Sequence, residues 1–288
     1  MPGHFRRLFA SLMVLAVCWW VLGSAPVQDN SLQVSRNLQE ESLSLIAAGR
    51  DAEALPLVKQ LHEAYPGNHV YLARLAEIHQ RSGEWQGCVD AWEAYLKVSP
   101  TPWEAFPVLG DAYRKLGRPA DSLDAFKRGL ALEPRNAELA FYLGRAYERE
   151  SQFDKARTTY RAALQDHPDH ADLGIGLARV TLFSGNTPEA RRLAEAAAKR
   201  SPGAVDAKLI FGMTLRAQGD LARARVELEQ ALAMSPDYVD VLLVLGGVAE
   251  QQNDLARARE LYTRILELDP RQATVRTRLA SLQAGSKR

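Results

Sequence analysis

The chain has 288 residues, 47% of them hydrophobic, which is the composition of a folded globular protein and excludes a disordered or fibrous one. With 36 Lys and Arg against 35 Asp and Glu, its net charge of +1 lacks the cation excess of nucleic-acid-binding proteins, so nucleic acid is not an expected partner. Two cysteines and six histidines form no Cys-x-x-Cys pair and no His-Glu-x-x-His run, so we expect no metal and no cofactor.

The first thirty residues have the layout of an export signal. Arg6 and Arg7 precede an apolar run from Leu8 to Gly23, which reaches the length of a membrane span, roughly 20 residues, when it is extended to Val27. No Lys or Arg follows until Arg36. The positive-inside rule therefore places the N-terminus in the cytoplasm and the rest of the chain on the other side, which is the periplasm in a bacterium.

Two fates of this segment stay open. Cleavage after Gly23-Ser24-Ala25 would leave Pro26 at the new N-terminus, where signal peptidase works poorly, so the sequence favours a membrane anchor retained over residues 8–27. The alternative is signal cleavage that gives a secreted or periplasmic protein. We predict residues 1–25 as signal peptide or anchor helix and residues 26–34 as a linker.

One period organises the rest of the chain. Seven prolines are spaced by 34 residues, and a small residue stands twelve positions before each of them. Leu-Gly or a close equivalent recurs earlier in each unit, as at Leu109-Gly110 and Leu143-Gly144. The prolines are Pro66, Pro100, Pro134, Pro168, Pro202, Pro236 and Pro270, and the small residues are Ala54, Cys88, Ser122, Ala156, Ala190, Ala224 and Ala258.

These residues resemble the tetratricopeptide repeat, whose pattern is aromatic-x2-Leu-Gly-x2-Tyr, then Ala-x3-Phe, then Pro. One unit reads Phe106, Leu109-Gly110, Tyr113, Ser122 and Phe126. The spacing predicts an all-α fold, and the resemblance implies a right-handed superhelical solenoid of helix-turn-helix repeats. We predict seven repeats followed by a capping helix and tail over 273–288; the repeats span 35–68, 69–102, 103–136, 137–170, 171–204, 205–238 and 239–272.

Each unit is expected to form two helices. A first helix such as 137–149 begins after Asn136, a good N-cap, and a second helix such as 154–166 begins near Asp154. Inner Ala and Gly positions let the paired helices approach closely. Glycines in the turn between the two helices can close a helix end, since they have no Cβ; they are Gly83, Gly117, Gly185 and Gly219.

The resemblance also implies a concave groove, lined mainly by first helices, that binds peptides, helices or other protein segments. The fifth residue of each repeat faces this groove in the family, and four such positions form an apolar stripe. Four arginines beside the stripe could receive acidic side chains or a C-terminal carboxylate. The stripe is Phe141, Ile175, Leu209 and Leu243, with Leu182 and Met213 near it, and the arginines are Arg114, Arg145, Arg179 and Arg216.

Each pattern has a purely structural alternative. The apolar stripe could be partly covered by the next repeat. The arginines could pair with neighbouring acids such as Asp111, Glu148 and Asp172. Acidic residues recur at the second position of five repeats, where a carboxylate interacts favourably with the positive end of a helix dipole. This interpretation is preferred to that of an acidic rim for a partner. The residues are Glu104, Glu138, Asp172, Asp206 and Asp240.

Export segment, repeats and cap use the whole chain, so we expect no catalytic domain and no small-molecule substrate. The sequence predicts a non-catalytic protein–protein interaction scaffold, exported and membrane-anchored, that binds a protein or peptide ligand. Bacterial proteins of similar layout serve envelope assembly. The alternative is a holdase-like chaperone for exported client proteins.

Overall fold

The computed structural model describes residues 27–285, and within that range the chain forms fifteen α-helices and no strand, which confirms the predicted all-α fold. A 3₁₀ turn, Pro102–Ala105, precedes the fifth helix. The helices are α1 (Val27–Ala47), α2 (Asp51–Ala64), α3 (His69–Arg81), α4 (Trp85–Val98), α5 (Phe106–Lys115), α6 (Pro119–Leu132), α7 (Ala137–Arg149), α8 (Phe153–Asp166), α9 (Ala171–Phe183), α10 (Thr187–Arg200), α11 (Val205–Ala217), α12 (Leu221–Met234), α13 (Val239–Gln251), α14 (Leu255–Leu268) and α15 (Ala273–Gly285).

Two compact units divide the chain, and the boundary lies between Gly117 and Arg118. The first unit contains α1 to α5, and the second contains α6 to α15. In the second unit each helix packs against the next, and the first helices α7, α9, α11 and α13 also contact one another in succession. Neighbouring helix pairs therefore share one apolar core, since a single pair cannot bury its own apolar stripe.

Local capping signals set the helix ends. The side chain of Asn136 accepts a hydrogen bond from the Leu139 amide at 3.0 Å, so α7 begins at Ala137 as predicted. The second helix α8 begins at Phe153, one residue before the predicted start, and ends at Asp166. Pro168 follows shortly afterwards, where its missing amide hydrogen does no harm.

The turn between paired helices contains one residue in the left-handed region, and this residue recurs every 34 positions. The four predicted turn glycines, together with Gly49, have φ between 70° and 83°. Ser151 (φ 56°) and Asn253 (φ 62°) occupy the same position without being glycine. Position in the repeat therefore fixes the backbone conformation of the turn. Ser151 and Asn253 adopt the left-handed conformation in spite of the steric cost that a Cβ adds there.

Small residues allow the predicted close approach of paired helices. Tyr160 of α8 is fully buried, with its ring between Gly144 of α7 and Gly176 of α9. A Cβ added at Gly176 would lie only 2.7 Å from the ring carbon Cζ of Tyr160. Gly246 of α13 repeats the contact made by Gly144, since a Cβ added at Gly246 would lie 2.5 Å from Cε1 of Tyr262 in α14. The size of the inner residue thus sets how closely these helices pack.

The two ends of the chain differ in how they agree with the predictions. The predicted linker at 26–34 is helical from Val27 onwards, because no glycine or proline interrupts the chain before Gly49 and α1 simply extends. The membrane segment predicted over 8–27 lies outside the described residues apart from Val27. No helix within the described residues is long and apolar enough to cross a bilayer.

At the C-terminal end, α15 lies where the capping helix was predicted. Val275 is buried, and Leu279 and Leu282 pack against the same core cluster. Arg276 and Arg278 of the same helix are exposed, and Arg278 pairs with Glu250 of α13. The number of repeats and their boundaries stay predictions.

Candidate functional site

Three cavities adjoin along the first helices of the second unit, and we call them together the groove. They have volumes of about 690, 460 and 390 Å³. Asp206 and Tyr238 line both the first and the middle cavity. Met213 and Val244 line both the middle and the third cavity. The groove therefore crosses α9, α11 and α13 without interruption.

The floor of the groove is apolar and only partly covered. Ile175 and Leu209 are almost buried, whereas Met213 is half-buried and Leu243 is 36% exposed. This apolar surface rises from the shared core, because α9, α11 and α13 carry apolar residues around most of their circumference. Phe183, 49% exposed, stands on the wall of the middle cavity. The stripe thus combines the two interpretations given above: part is core and part is open to a ligand.

Most of the predicted groove residues come together here. Phe141 instead packs against the core of α7 to α9, and Arg114 belongs to the first unit, where it pairs with Asp111 at 2.7 Å. Eight of the ten predicted residues line the groove. The first cavity is lined by Ile175, and the middle cavity by Arg145, Arg179, Leu209, Met213 and Leu243. The third cavity is lined by Leu182 and Arg216, together with Met213.

Arg179 forms an ion pair with Glu148 of the neighbouring first helix. Its Nε and Nη2 donate to the two oxygens of Glu148 at 2.6 and 3.1 Å, and both side chains are largely buried. The hydroxyl of Tyr160 donates to the same carboxylate. Burial, followed by the negative charge of Glu148, raises the pKa of Tyr160. The predicted pairing of an arginine with Glu148 is therefore observed, and it joins the core to the wall of the groove.

The other two groove arginines have no ion pair among the described residues. The guanidinium of Arg145 lies 5.8 Å from the ring centroid of Phe141, a cation–π distance. The guanidinium of Arg216 lies over the backbone of Gly247, where an added Cβ would be 2.9 Å from its Nη2, and its Nε donates to Gln251 at 2.9 Å. Both cations remain available to a carboxylate from a ligand.

The opposite edge of the groove is acidic. Asp172, Asp206 and Asp240 lie in the first turns of α9, α11 and α13, as the helix-start interpretation predicts, and they also line the cavities. The hydroxyl of Tyr238 donates to Asp206 at 2.6 Å. Burial, followed by this hydrogen bond, raises the pKa of Tyr238 to about 12, so that Tyr238 stays neutral and holds the carboxylate in place.

Sequence reasoning missed Tyr238 and Phe183, and for the acids it preferred a helix-start role to an acidic rim for a partner. A usable signal existed for the acids: they share the 34-residue spacing of the apolar stripe and stand three residues before it. One turn of helix therefore separates the two rows on the same face. No comparable signal points to Tyr238 or Phe183, since neither residue recurs at its position.

Comparison with known sequences identifies the family. Sequence profiles of the tetratricopeptide repeat match residues 108–171, 149–209 and 215–287. The chain is a tetratricopeptide-repeat protein. Such repeats bind protein or peptide partners and are generally non-catalytic, so this tetratricopeptide-repeat protein is a protein-interaction scaffold. No curated protein sequence matches the chain.

Solved structures of tetratricopeptide-repeat proteins share the solenoid fold. One from Parabacteroides merdae has a TM-score of 0.73 at 18% identity, and the match covers 87% of this chain and 99% of the other. The Pseudomonas aeruginosa pilF structure has a TM-score of 0.61 at 16% identity, covering 74% and 97%. The APC/C Cut9–Hcn1 structure has a TM-score of 0.65 at 16% identity, and the match covers 87% of this chain and 50% of the other. At these identities the likeness shows the fold alone.

Proposed function

We propose that this tetratricopeptide-repeat protein holds a segment of a partner protein in the groove of its second unit. The observation that carries the proposal is the continuity of the three cavities over an apolar floor. Exposed apolar surface of this kind marks an interaction site when polar residues rim it, as the aspartates and arginines do here. Nothing in the arrangement calls for covalent chemistry, and non-covalent binding is sufficient to explain it.

We further propose that the chain is exported and held at the membrane by residues 8–27, with the helices on the non-cytoplasmic side. Arg6 and Arg7 ahead of the apolar run support this orientation. A scaffold in that compartment would serve the assembly of envelope proteins. Protease added to intact spheroplasts tests the side: the helices should be digested without lysis. The N-terminal sequence of the mature chain then distinguishes a retained anchor from a cleaved signal.

Crosslinking in intact cells tests the groove. The double variant Phe183→Glu/Leu243→Glu puts charge on two exposed apolar residues that line the middle cavity. A matched control, Leu132→Glu/Val226→Glu, makes the same change at two exposed apolar residues on the second helices α6 and α12. We expect one saturable partner that the groove variant loses and the control variant keeps.

Other results decide between the alternatives. Capture of many clients, lost in the groove variant, would favour the holdase. Capture that is equal in wild type and groove variant would show that the partner binds elsewhere, and the proposal would then be wrong. Circular dichroism of all three proteins excludes loss of folding as the cause.

A further inference from the structure

The groove has two edges of opposite charge. Asp172, Asp206 and Asp240 mark the acidic edge, one at the start of each first helix. Arg145 and Arg216 lie nearer the C-terminal ends of their own first helices, and we call this side of the groove the arginine edge. Asp206 and Arg216 are ten residues apart on α11, which corresponds to roughly 15 Å of helix. The apolar floor lies between the two edges.

The carboxylates on the acidic edge form no direct ion pair among the described residues. None of these three aspartates has a Lys or Arg nitrogen within ion-pair distance among the described residues. Arg179 lies close enough for its charge to act on Asp206, but its guanidinium is bound to Glu148. Many carboxylates elsewhere on the same unit are paired, as in Glu229–Arg257 at 2.9 Å and Asp237–Arg264 at 2.6 Å. An open row of carboxylates beside an apolar floor is complementary to a ligand with cations on one flank.

The spacing of this row favours a helical ligand. The helices α9, α11 and α13 contact one another in succession, and packed helices have axes about 8–10 Å apart. Seven residues of an α-helix advance about 10.5 Å, so a helix that crosses them would present the same face to each aspartate. An extended segment covers this interval in about three residues, and its side chains would alternate between the two sides. The helix diameter of about 10–12 Å also fits between the two edges.

We infer that the ligand of the groove is an amphipathic α-helix of a partner protein with charges of opposite sign on its two flanks. This inference rests on the function proposed above. The apolar face of the ligand lies on Leu209, Met213 and Leu243. Lys or Arg at positions i, i+7 and i+14 faces Asp172, Asp206 and Asp240, and acidic side chains on the other flank face the arginine edge. About fifteen residues are enough to span the three aspartates.

Fluorescent 18-residue peptides and the full chain in detergent provide the test. The first peptide has leucines along one face, lysines at heptad spacing on one flank and glutamates on the other. The second has glutamates on both flanks, and the third repeats the first with two central prolines that abolish the helix. We expect anisotropy titrations at low salt to give the tightest binding with the first peptide and at least tenfold weaker binding with the others.

Variants of the protein identify the surface. The triple variant Asp172→Asn/Asp206→Asn/Asp240→Asn should bind the first peptide about tenfold more weakly, since three surface ion pairs are lost. The salt dependence of binding should fall with them. The control variant is Asp121→Asn/Asp154→Asn/Glu189→Gln. It also removes carboxylates from helix starts, but these lie on second helices away from the groove, so peptide binding should be unchanged.

The results separate this inference from the function proposed above. Equal binding of all three peptides, or equal loss in both triple variants, would overturn the charged-helix inference and leave the groove as a binding site. The same holds if no peptide binds while the partner captured in cells is still lost in Phe183→Glu/Leu243→Glu. If no peptide binds and no capture depends on the groove, both proposals fail.

Discussion

Two glycines in α9 allow the packing around Tyr160 to be measured directly. Gly176 faces the ring of Tyr160, and an added Cβ would lie 2.7 Å from Cζ, about 1 Å short of an ordinary contact. The ring cannot move away, because Gly144 of α7 lies against its other side. At Gly174 of the same helix, the nearest atom to an added Cβ is a guanidinium nitrogen of Arg200 at 4.0 Å. Only one of the two positions is therefore crowded.

The same substitution should then have opposite effects two residues apart. Gly176→Ala adds an overpacking cost of about 1–3 kcal/mol, partly offset by the gain in helix propensity of about 1 kcal/mol. Gly174→Ala has the gain without the cost, so we expect it to raise the free energy of unfolding by about 0.5–1 kcal/mol. Since the propensity term is common to both variants, the difference between them isolates the packing term, about 1–3 kcal/mol.

Urea unfolding followed by circular dichroism measures this difference. We expect the midpoint to fall for Gly176→Ala and to rise for Gly174→Ala, with a wild-type spectrum for both folded proteins. Equal midpoints at or above the wild-type value would refute the close fit between Tyr160 and its two glycines. A fall of equal size in both would show instead that α9 does not tolerate a methyl group at any position.

Two further predictions concern local conformation and pH. Ser151→Gly should raise the free energy of unfolding by about 0.5 kcal/mol, because it relieves left-handed strain of about 1 kcal/mol and loses part of that gain to the greater freedom of the unfolded chain. Asn253→Gly should change thermal stability much less, because asparagine tolerates the left-handed conformation. A lower melting temperature for Ser151→Gly than for the wild type would contradict this prediction. The hydrogen bonds from Arg81, at 2.6 and 2.7 Å, lower the pKa of Asp51. Their stabilisation of the fold is therefore fully present above the pKa of the unfolded carboxyl, about 3.9. It is lost as the pH falls through the lower pKa of the folded state. Melting temperatures of wild type and Asp51→Asn should therefore differ at pH 7 and converge near pH 2, and a constant difference would contradict this.

The sequence predicts those features that depend on local or periodic signals. Asn136 caps α7 through an amide three residues away, and the turn glycines recur with the repeat, so both were predictable. The pairing of Arg179 with Glu148 is different in kind. The two residues are 31 positions apart, and they meet only because α7 and α9 pack side by side. The sequence offered this carboxylate as one of several partners without selecting it.

The groove shows the same division. Its apolar row was predictable because it follows from the 34-residue spacing, whereas the share of each residue left open was not. Leu209 and Leu243 occupy equivalent positions, yet only Leu243 is substantially exposed. Exposure depends on what the neighbouring helices place beside each residue. The extension of α1 to Val27 was missed for a simpler reason: the repeat pattern contains no information about helix outside its own period.

The fit of Tyr160 between two glycines limits how such a protein can gain or exchange repeats. At the equivalent positions of the next helix pair, Ala178 and Ala194 replace a glycine and a tyrosine, so the two pairs have incompatible inner surfaces. The ring also needs Gly176, which belongs to the following pair. A duplicated or transplanted segment that ends at the repeat boundary would contain Gly144 and Tyr160 but not Gly176, so one of the two glycines that contact the ring would be missing. The smallest segment that carries its own fit runs from 137 to 183, so an insertion by recombination or design should include three helices rather than two.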